Sequence, residues 1–345
     1  PDDLTPIQVA ELEAKKISVI KAHLSEFTDF LKKEISPTGL SPKSVVSNQS
    51  EIGRDMVERG NITESDLATA KHIKMISDKN GNSKIKKLSG EEFKRVARKF
   101  LEGMPPNWRI VYSNIPPVLA QVNSLIEQLE ESFFHSEERL FIVYGQSGSG
   151  KSTGLMQALK KLSEKERDVI IYEINGNVPS LRDAINLLLR LHEQEKIIVY
   201  FGESFIFGDS FSEDLLSIDS GRMLFVGDAR SNEWRHHIRR RINSVNFRSF
   251  EFQRFSKEDY DELAESIIEY VPAPKFHKMS RSERYIEFEK SKSQLLIAMK
   301  EITQAKEFRE VIRREYEGLS DDDCRMCFLI CGLATLARSG VGIGM

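Results

Sequence analysis

Along the first third of the chain, apolar residues recur every three to five positions, a spacing typical of amphipathic helices. One such helix is predicted between residues 5 and 35, and a polar stretch rich in proline and glycine follows it. Capping boxes predict two further helix starts: Thr63 with Asp66, and Ser89 with Glu92. The pattern therefore predicts a helical N-terminal region over residues 1–104.

Beyond a proline-rich break, the pattern changes to short apolar runs that alternate with helical stretches. The runs are Leu140–Tyr144, Val169–Ile174, Ile197–Phe201, Met223–Val226 and Phe247–Phe252. Such alternation predicts an α/β fold with a parallel sheet and crossover helices. After Ser256 the strand-like runs stop, and four helices are predicted: Lys257–Tyr270, Glu283–Lys300, Glu307–Tyr316 and Asp321–Leu336.

The composition excludes several classes of protein but does not identify a binding partner. At 345 residues the chain is long enough for about two domains, and its net charge of -3 excludes a uniformly basic nucleic-acid coat. No apolar run is long enough to span a bilayer, so a cytoplasmic protein without a membrane partner is predicted. Three cysteines do not make a disulfide framework. The start at Pro1 leads us to expect a piece of a longer protein.

One motif carries clear chemistry. Directly after the first strand of the α/β region comes the sequence Gly145-Gln146-Ser147-Gly148-Ser149-Gly150-Lys151-Ser152-Thr153, which matches G-x-x-x-x-G-K-[ST] in full. Its glycines allow backbone N–H groups to converge on phosphates at the start of a helix. Lys151 is predicted to reach the β- and γ-phosphates, and the Ser152 hydroxyl is predicted to ligate Mg²⁺.

An acidic partner for the metal and the attacking water is expected at the end of a neighbouring parallel strand. The best candidate is Glu203, which follows an apolar strand and is predicted to polarise water. Gly202 occupies the position where a metal-associated aspartate is expected, which predicts weak Mg²⁺ binding and slow hydrolysis. Asp209 and Asp228 are the alternative acids, and a structural role for Glu203 stays open.

Arg230 stands at the tip of the next strand, where its guanidinium could contact a γ-phosphate. The alternative is a surface ion pair with Asp228 or Glu233. The segment 228–257 holds more basic than acidic residues. It could bind nucleic acid or offer an arginine to a neighbouring subunit, but a solvated helical face is the commoner explanation. Cys324, Cys327 and Cys331 share one face of a predicted helix, which predicts core packing rather than a metal cluster.

Together, the P-loop, the Gly202–Glu203 motif, Arg230-Ser231-Asn232-Glu233-Trp234 and the segment 250–259 resemble a STAND-class P-loop NTPase of the prokaryotic kind related to anti-phage defence proteins. The resemblance covers residues 108–345. It implies a sheet of strand order 5-1-4-3-2, a helical lid and the start of a winged-helix-like element. The domains expected on this basis are 105–255 for the core, 256–318 for the lid and 319–345 for a truncated winged-helix-like element. Gly202, and the lack of a clear Gly-x-Pro motif after the fifth strand, depart from the family pattern.

The resemblance implies a regulatory switch that binds ATP and Mg²⁺, hydrolyses ATP slowly or conditionally, and assembles into a homo-oligomer in response to a protein trigger. Anti-phage defence is the implied biological setting. The sequence alone does not decide whether the nucleotide is ATP or GTP. The alternative function is a nucleic-acid-dependent ATPase that uses the basic segment, residues 230–257.

Overall fold

The computed structural model describes residues 63–166, 169–174, 178–192, 194–203, 211–216, 221–242, 245–291, 294–304, 308–319 and 321–338. The helix predicted between residues 5 and 35 and the candidate acid Asp209 lie outside these ranges.

A six-stranded sheet forms the centre of this part of the molecule. Its strands are β1 (Ile73–Ser77), β2 (Leu140–Gly145), β3 (Val169–Ile174), β4 (Lys196–Glu203), β5 (Met223–Arg230) and β6 (Phe247–Phe252). They lie in the order β1-β3-β4-β5-β2-β6, and every pair is parallel except β1 with β3. With β2 to β6 counted as strands 1 to 5, this is the predicted order 5-1-4-3-2. The predicted α/β class is confirmed.

Helices cover both faces of the sheet and continue beyond it. They are α1 (Glu64–Ala70), α2 (Gly90–Leu101), α3 (Trp108–Tyr112), α4 (Gln121–Phe134), α5 (Lys151–Lys165), α6 (Leu181–Leu191), α7 (Phe211–Leu216), α8 (Ser231–Glu233), α9 (Arg239–Arg241), α10 (Tyr260–Tyr270), α11 (Pro274–Lys278), α12 (Arg281–Lys290), α13 (Leu295–Gln304), α14 (Phe308–Glu317) and α15 (Asp322–Arg338). A π-helical turn, Trp234–Ile238, joins α8 to α9. None of the helices in the described ranges has the length and apolar composition needed to cross a membrane.

Strand β1 corrects the expectation that residues 1–104 are wholly helical. Residues Ile73–Ser77 pair antiparallel with β3 and cover one edge of the sheet. The run is too short to show a period, so pairing with an otherwise open edge decides its conformation. The helix start at Thr63 is as predicted, with both hydrogen bonds of the Thr63–Asp66 capping box present. Ser89 also precedes a helix, but its side chain makes no cap hydrogen bond.

The core lies on both faces of the sheet because parallel strands bury both sides. Phe141 and Val143 of β2 point into one apolar cluster, whereas Leu140 and Ile142 point into the other. The first cluster also takes in buried side chains of α5, α10 and α13. The C-terminal helices therefore share a core with the face of the sheet that carries the P-loop helix α5.

Two predictions about the C-terminal helices are wrong in detail. The single helix predicted over residues 283–300 is two, α12 and α13, because a polar stretch around Ser291 interrupts it. Cys324 and Cys327 are exposed on α15 rather than packed in the core, and Met326 is exposed beside them. No group of three metal-binding side chains occurs among the described residues.

Candidate functional site

A cavity of about 370 Å³ lies at the carboxyl ends of β2 and β5. One end is lined by the P-loop residues Ser147, Gly148, Gly150, Lys151 and Ser152, together with residues 228–230 and Glu233. The rest of the lining is mostly apolar. It begins at Leu119, Leu295 and Leu296, which lie against the P-loop glycines, and continues with Phe100, Leu101, Met104, Pro105, Pro106, Pro116, Pro117, Leu263 and Met299. We call these the phosphate end and the apolar end.

The loop between β2 and α5 has the backbone conformation that its glycines allow. Gly148 has φ of 73° and Gly150 has φ of 90°, both in the left-handed region that L-residues avoid. Gly150 is also the N-cap residue of α5. The first N–H groups of this helix have no intrahelical partner, and the positive end of the helix dipole lies at the loop. The geometry is that of an anion-binding helix start.

Two P-loop side chains test whether this end suits a polyphosphate. Lys151 is the first residue of α5, is only 8% exposed, and lines the cavity. The Ser149 hydroxyl is buried and has no hydrogen-bond partner among the described residues, but it lies beside Gly145 and does not line the cavity. Burying a charge or a hydroxyl costs free energy unless a partner compensates it. An anionic ligand with many acceptor oxygens fits the buried Lys151 ammonium at the cavity wall.

Asp228 is the acidic residue that the fold brings to the phosphate end. It is 3% exposed and lines the cavity near the tip of β5. In register it stands beside Val143 of β2 and Glu203 of β4, with an irregularity in β4 at Gly202. The backbone of Glu203 ends its strand at this edge, and its side chain lies outside the described part. Asp228, an alternative acid on sequence grounds, thus joins the P-loop in one cavity.

Arg230 also lines the cavity, at the position expected from the sequence. Its backbone N–H donates to Glu233 Oε2 at 3.0 Å, and its Nε lies 4.0 Å from Glu233 Oε1. The two alternatives for Arg230 therefore coincide, because it borders the cavity and forms a long ion pair there. The turn after it is anchored by Trp234, whose ring stacks on Tyr144 at 5.4 Å.

The apolar end was not predicted from the sequence. It is bounded by residues 103–106 and 116–119 and by α10 and α13. We call the whole stretch of residues 103–120 the linker. Two carboxylates of the C-terminal helical region hold the linker. Val118 N–H donates to Glu262 at 3.1 Å, and Ala120 N–H donates to Asp259 at 2.7 Å. The only sequence signal for the linker was its prolines, which suggested a domain boundary rather than a wall of the site.

A backbone hydrogen bond joins the P-loop directly to α13. Leu296 N–H donates to the Gly148 carbonyl at 3.1 Å. A Cβ atom at Gly148 would lie 2.7 Å from Leu296 Cβ. The P-loop and α13 can therefore approach this closely only because residue 148 is glycine. Any movement of α13 relative to the P-loop must break this contact.

The basic segment contains closely ion-paired residues and a cluster of exposed residues. Arg248 contacts Glu131 at 2.5 Å and Glu138 at 3.0 Å, and these partners raise its pKa. Lys257 contacts Glu289 at 2.8 Å. The exposed basic residues are concentrated on the turn after β5: Arg235, His236, His237, Arg239, Arg240 and Arg241.

The P-loop, the sheet order and the acidic and basic strand tips define a P-loop NTPase core. Residues 98–241 match the family described as "Novel STAND NTPase 5". This match spans the P-loop, Asp228 and Arg230, and it confirms the STAND resemblance for this part of the chain. No curated protein matches the chain.

Solved structures with a similar chain path include one described as the structural basis for katanin self-assembly. It has 13% identity and a TM-score of 0.37, covering 66% of this chain and 71% of that one. The Aeropyrum pernix ORC1 protein in complex with DNA has 16% identity and a TM-score of 0.39, with coverage of 57% and 64%. C. elegans PCH-2 has 13% identity and a TM-score of 0.36, with coverage of 68% and 64%. The chain spans less than two thirds of the last two.

Proposed function

We propose that this protein is a nucleotide-controlled switch that binds ATP with Mg²⁺ at the cavity and hydrolyses it slowly. The observation that carries the proposal is that one cavity has walls from two regions, the α/β core and the C-terminal helices α10 and α13. A ligand that contacts both stabilises the arrangement in which they lie together. Nucleotide binding and release would then change the balance between arrangements.

The residues at the phosphate end fit such a ligand. Lys151 and the N–H groups at the start of α5 would hold the β- and γ-phosphates, and the Ser152 hydroxyl and the Asp228 carboxylate are the oxygen ligands available to Mg²⁺. A bound Mg²⁺ would offset part of the negative charge of the phosphates. Arg230 supplies a further cation on the same wall, and its ion pair with Glu233 at 4.0 Å is long enough for a phosphate to compete for the guanidinium.

Hydrolysis needs a group that orients water beside the γ-phosphate. Glu203 remains our proposal for this role, and Asp228 is assigned to the metal because it lines the cavity beside Ser152. With one carboxylate in each role, removal of either should slow turnover, but only loss of the metal-binding group should also weaken Mg²⁺-dependent affinity. Asp228→Asn and Glu203→Gln, compared by ATP titration with and without Mg²⁺ and by phosphate release, separate these roles.

The first test is nucleotide binding by calorimetric titration of the whole chain. Lys151→Ala should weaken ATP binding by about 100-fold, because it removes the cation facing the phosphates. Lys165→Ala is the matched control, since this lysine stands at the other end of α5 and is 59% exposed. Equal affinity in Lys151→Ala and wild type would overturn the proposed site.

We further propose that the ATP-bound arrangement favours assembly of several copies, as the family resemblance implies, with signalling in anti-phage defence as its setting. Light scattering with ATP, with ADP and without nucleotide tests this step. Assembly should appear with ATP in wild type and in Lys165→Ala, and should be lost in Lys151→Ala. Assembly that does not depend on nucleotide in any variant would contradict the switch.

The exposed arginines after β5 support one second candidate, a nucleic-acid-dependent ATPase. Arg239, Arg240 and Arg241 lie on one short helix and are all exposed. If this surface binds nucleic acid, affinity for DNA or RNA should fall steeply with salt and should fall again when all three are changed to Glu. The absence of binding at low salt would exclude this function and leave the switch unaffected.

A further inference from the structure

Gln157 borders the cavity at a point that the P-loop motif does not reach. It lies on α5, six residues after Lys151, which corresponds to about 9 Å along the helix axis. Its side chain is only 6% exposed, yet it lines the cavity together with Thr153, which lies on the same face of α5. Gln157 is therefore a buried amide within reach of the same cavity, beyond the phosphate-binding loop.

The orientation of this amide is fixed by the linker. Gln157 Nε2 donates to the Pro116 carbonyl at 3.0 Å and to the Pro117 carbonyl at 3.2 Å. Carbonyl oxygens only accept hydrogen bonds, so the NH₂ group must face them and the amide cannot flip. Both amide hydrogens are used in this way. The Oε1 atom accepts no hydrogen bond from the described residues, and it is the polar atom of this side chain left for a ligand.

The wall around Gln157 offers few hydrogen-bond donors. Four of its residues are prolines, which have no N–H: Pro105, Pro106, Pro116 and Pro117. The N–H of Gly103 donates to the Phe100 carbonyl at 2.9 Å, and the N–H of Met104 donates to the Lys99 carbonyl at 3.0 Å. Gln157 stands between this cavity and a second cavity of about 300 Å³, which is lined by polar residues such as Asn114 and Lys160. On the nucleotide side, an acceptor among apolar side chains favours a base that presents a donor there.

We propose that Gln157 is the specificity-determining residue for the base, and that its Oε1 accepts a hydrogen bond from the exocyclic amino group of adenine. This inference rests on the proposed function and adds the choice of base to it. Guanine carries an oxygen acceptor at the same ring position, which would face Oε1 without a hydrogen between them. Burying two acceptors against each other is unfavourable, so the site selects ATP over GTP.

The test removes the amino group from the ligand and the acceptor from the protein, separately and together. Purine riboside triphosphate is ATP without the amino group. Wild type should bind it about tenfold more weakly than ATP, and GTP at least as weakly as purine riboside triphosphate. In Gln157→Met, which keeps the length of the side chain, ATP and purine riboside triphosphate should bind within about twofold of each other.

Gln121→Met is the matched control. The Gln121 amide also bonds to backbone, donating to the Gln253 carbonyl at 3.1 Å and accepting from the Gln253 N–H at 2.9 Å, and this residue does not line the cavity. It should keep the wild-type ratio between the two nucleotides. Because both ligands share the same phosphates and sugar, a general weakening of Gln157→Met through movement of the linker cancels in the ratio.

The outcomes separate this inference from the proposed function. An unchanged ratio in Gln157→Met, or equal wild-type affinity for ATP and purine riboside triphosphate, would overturn the role of Gln157 while nucleotide binding stands. If Gln157→Met binds neither nucleotide, the order of wild-type affinities for ATP, purine riboside triphosphate and GTP tests the inference. Any order other than ATP as the tightest ligand would overturn it. Only the absence of any nucleotide binding in wild type would remove the proposed function itself.

Discussion

The phosphate end and the apolar end of the cavity are built from the chain in different ways. A single continuous loop, residues 145–153, supplies most of the phosphate end, and two glycines with positive φ set its shape. The apolar end is assembled from the end of α2, the linker, α10 and α13, which are far apart in sequence. Local backbone geometry thus determines one end, whereas packing between distant segments determines the other.

This difference predicts two separable kinds of defect. Inorganic tripolyphosphate can occupy only the phosphate end, whereas ATP, on the proposed function, occupies both ends. A change in the loop should therefore weaken both ligands, and a change in the linker or the C-terminal helices should weaken ATP alone. Competition titrations with the two ligands, carried out on each variant, measure how far the two ends are independent.

The largest effect is expected from Gly148→Ala. An L-residue at φ of 73° is strained, and its Cβ would lie 2.7 Å from Leu296 Cβ. The loop must then shift, and both ATP and tripolyphosphate should bind about 100-fold more weakly in calorimetric titrations. Gly221→Ala is the control, because nothing lies within 4 Å of a Cβ at that position. If ATP weakened while tripolyphosphate did not, the loop would not be the phosphate site.

The next effect concerns Asp259, which ties the linker to the C-terminal helical region. Asp259 is 4% exposed and accepts hydrogen bonds from the backbone N–H groups of Ala120 and Ser256, both at 2.7 Å. Asp259→Ala leaves these donors without their acceptor and should lower the free energy of unfolding by about 2 kcal/mol in urea titrations.

The same variant bears on the comparison between the two ends. ATP should bind Asp259→Ala more weakly than wild type because the linker is less well held, and tripolyphosphate should bind it within about twofold of wild type. Glu265→Ala, an exposed change on α10, the helix that Asp259 precedes, is the control for the loss of a carboxylate. Equal losses of the two ligands would show that the linker and the loop behave as one unit.

What the sequence could predict follows the same division. The P-loop is visible because the conformation of residues 145–153 requires particular residue types at fixed spacing. The strands are visible because both of their faces are buried, which gives short continuous apolar runs such as Val169–Ile174. Arg230 and Asp228 could be placed at strand tips because parallel strands end at one edge of the sheet.

The apolar end left no comparable pattern. Met104, Leu263 and Leu295 are ordinary apolar residues, and only packing between segments brings them to one cavity. Gln157 could not be singled out from the sequence either, because the role proposed for it depends on the two proline carbonyls that hold its amide. Strand β1 was missed for a related reason, since its conformation is decided by the edge of β3 rather than by its own residues.

A smaller effect is expected from Met104→Ala at the linker. Met104 is partly buried and lines the apolar end, so truncation removes apolar contact with the base. ATP affinity should fall about fivefold, and tripolyphosphate affinity should stay unchanged. Met279→Ala, another partly buried methionine but one that packs on a different apolar cluster, should change neither. Loss of tripolyphosphate binding in Met104→Ala would contradict the independence of the two ends.

The smallest expected effect is that of replacing Lys160 on the free energy of unfolding. Lys160 lies on α5 after Gln157 and contacts the linker at Asn114. Lys160 is 8% exposed, its ammonium donates to Asn114 Oδ1, and it lies 5.5 Å from the centre of the Tyr112 ring. Burial lowers the pKa of Lys160 below its usual 10.5, and Glu164, 3.9 Å away, offsets this in part. Lys160→Met keeps the apolar stem and removes the titrating group.

The sign of the pH dependence follows from that lowered pKa. As pH rises toward 10.5, the folded protein releases the Lys160 proton before the unfolded chain does, so wild type should gain stability relative to Lys160→Met. The gain between pH 7 and 10 should be no more than about 1 kcal/mol, measured by urea unfolding of both proteins at each pH. A constant difference would mean that burial leaves Lys160 unaffected. In either case tripolyphosphate affinity at pH 7 should match wild type, because Lys160 contacts the linker and not the loop.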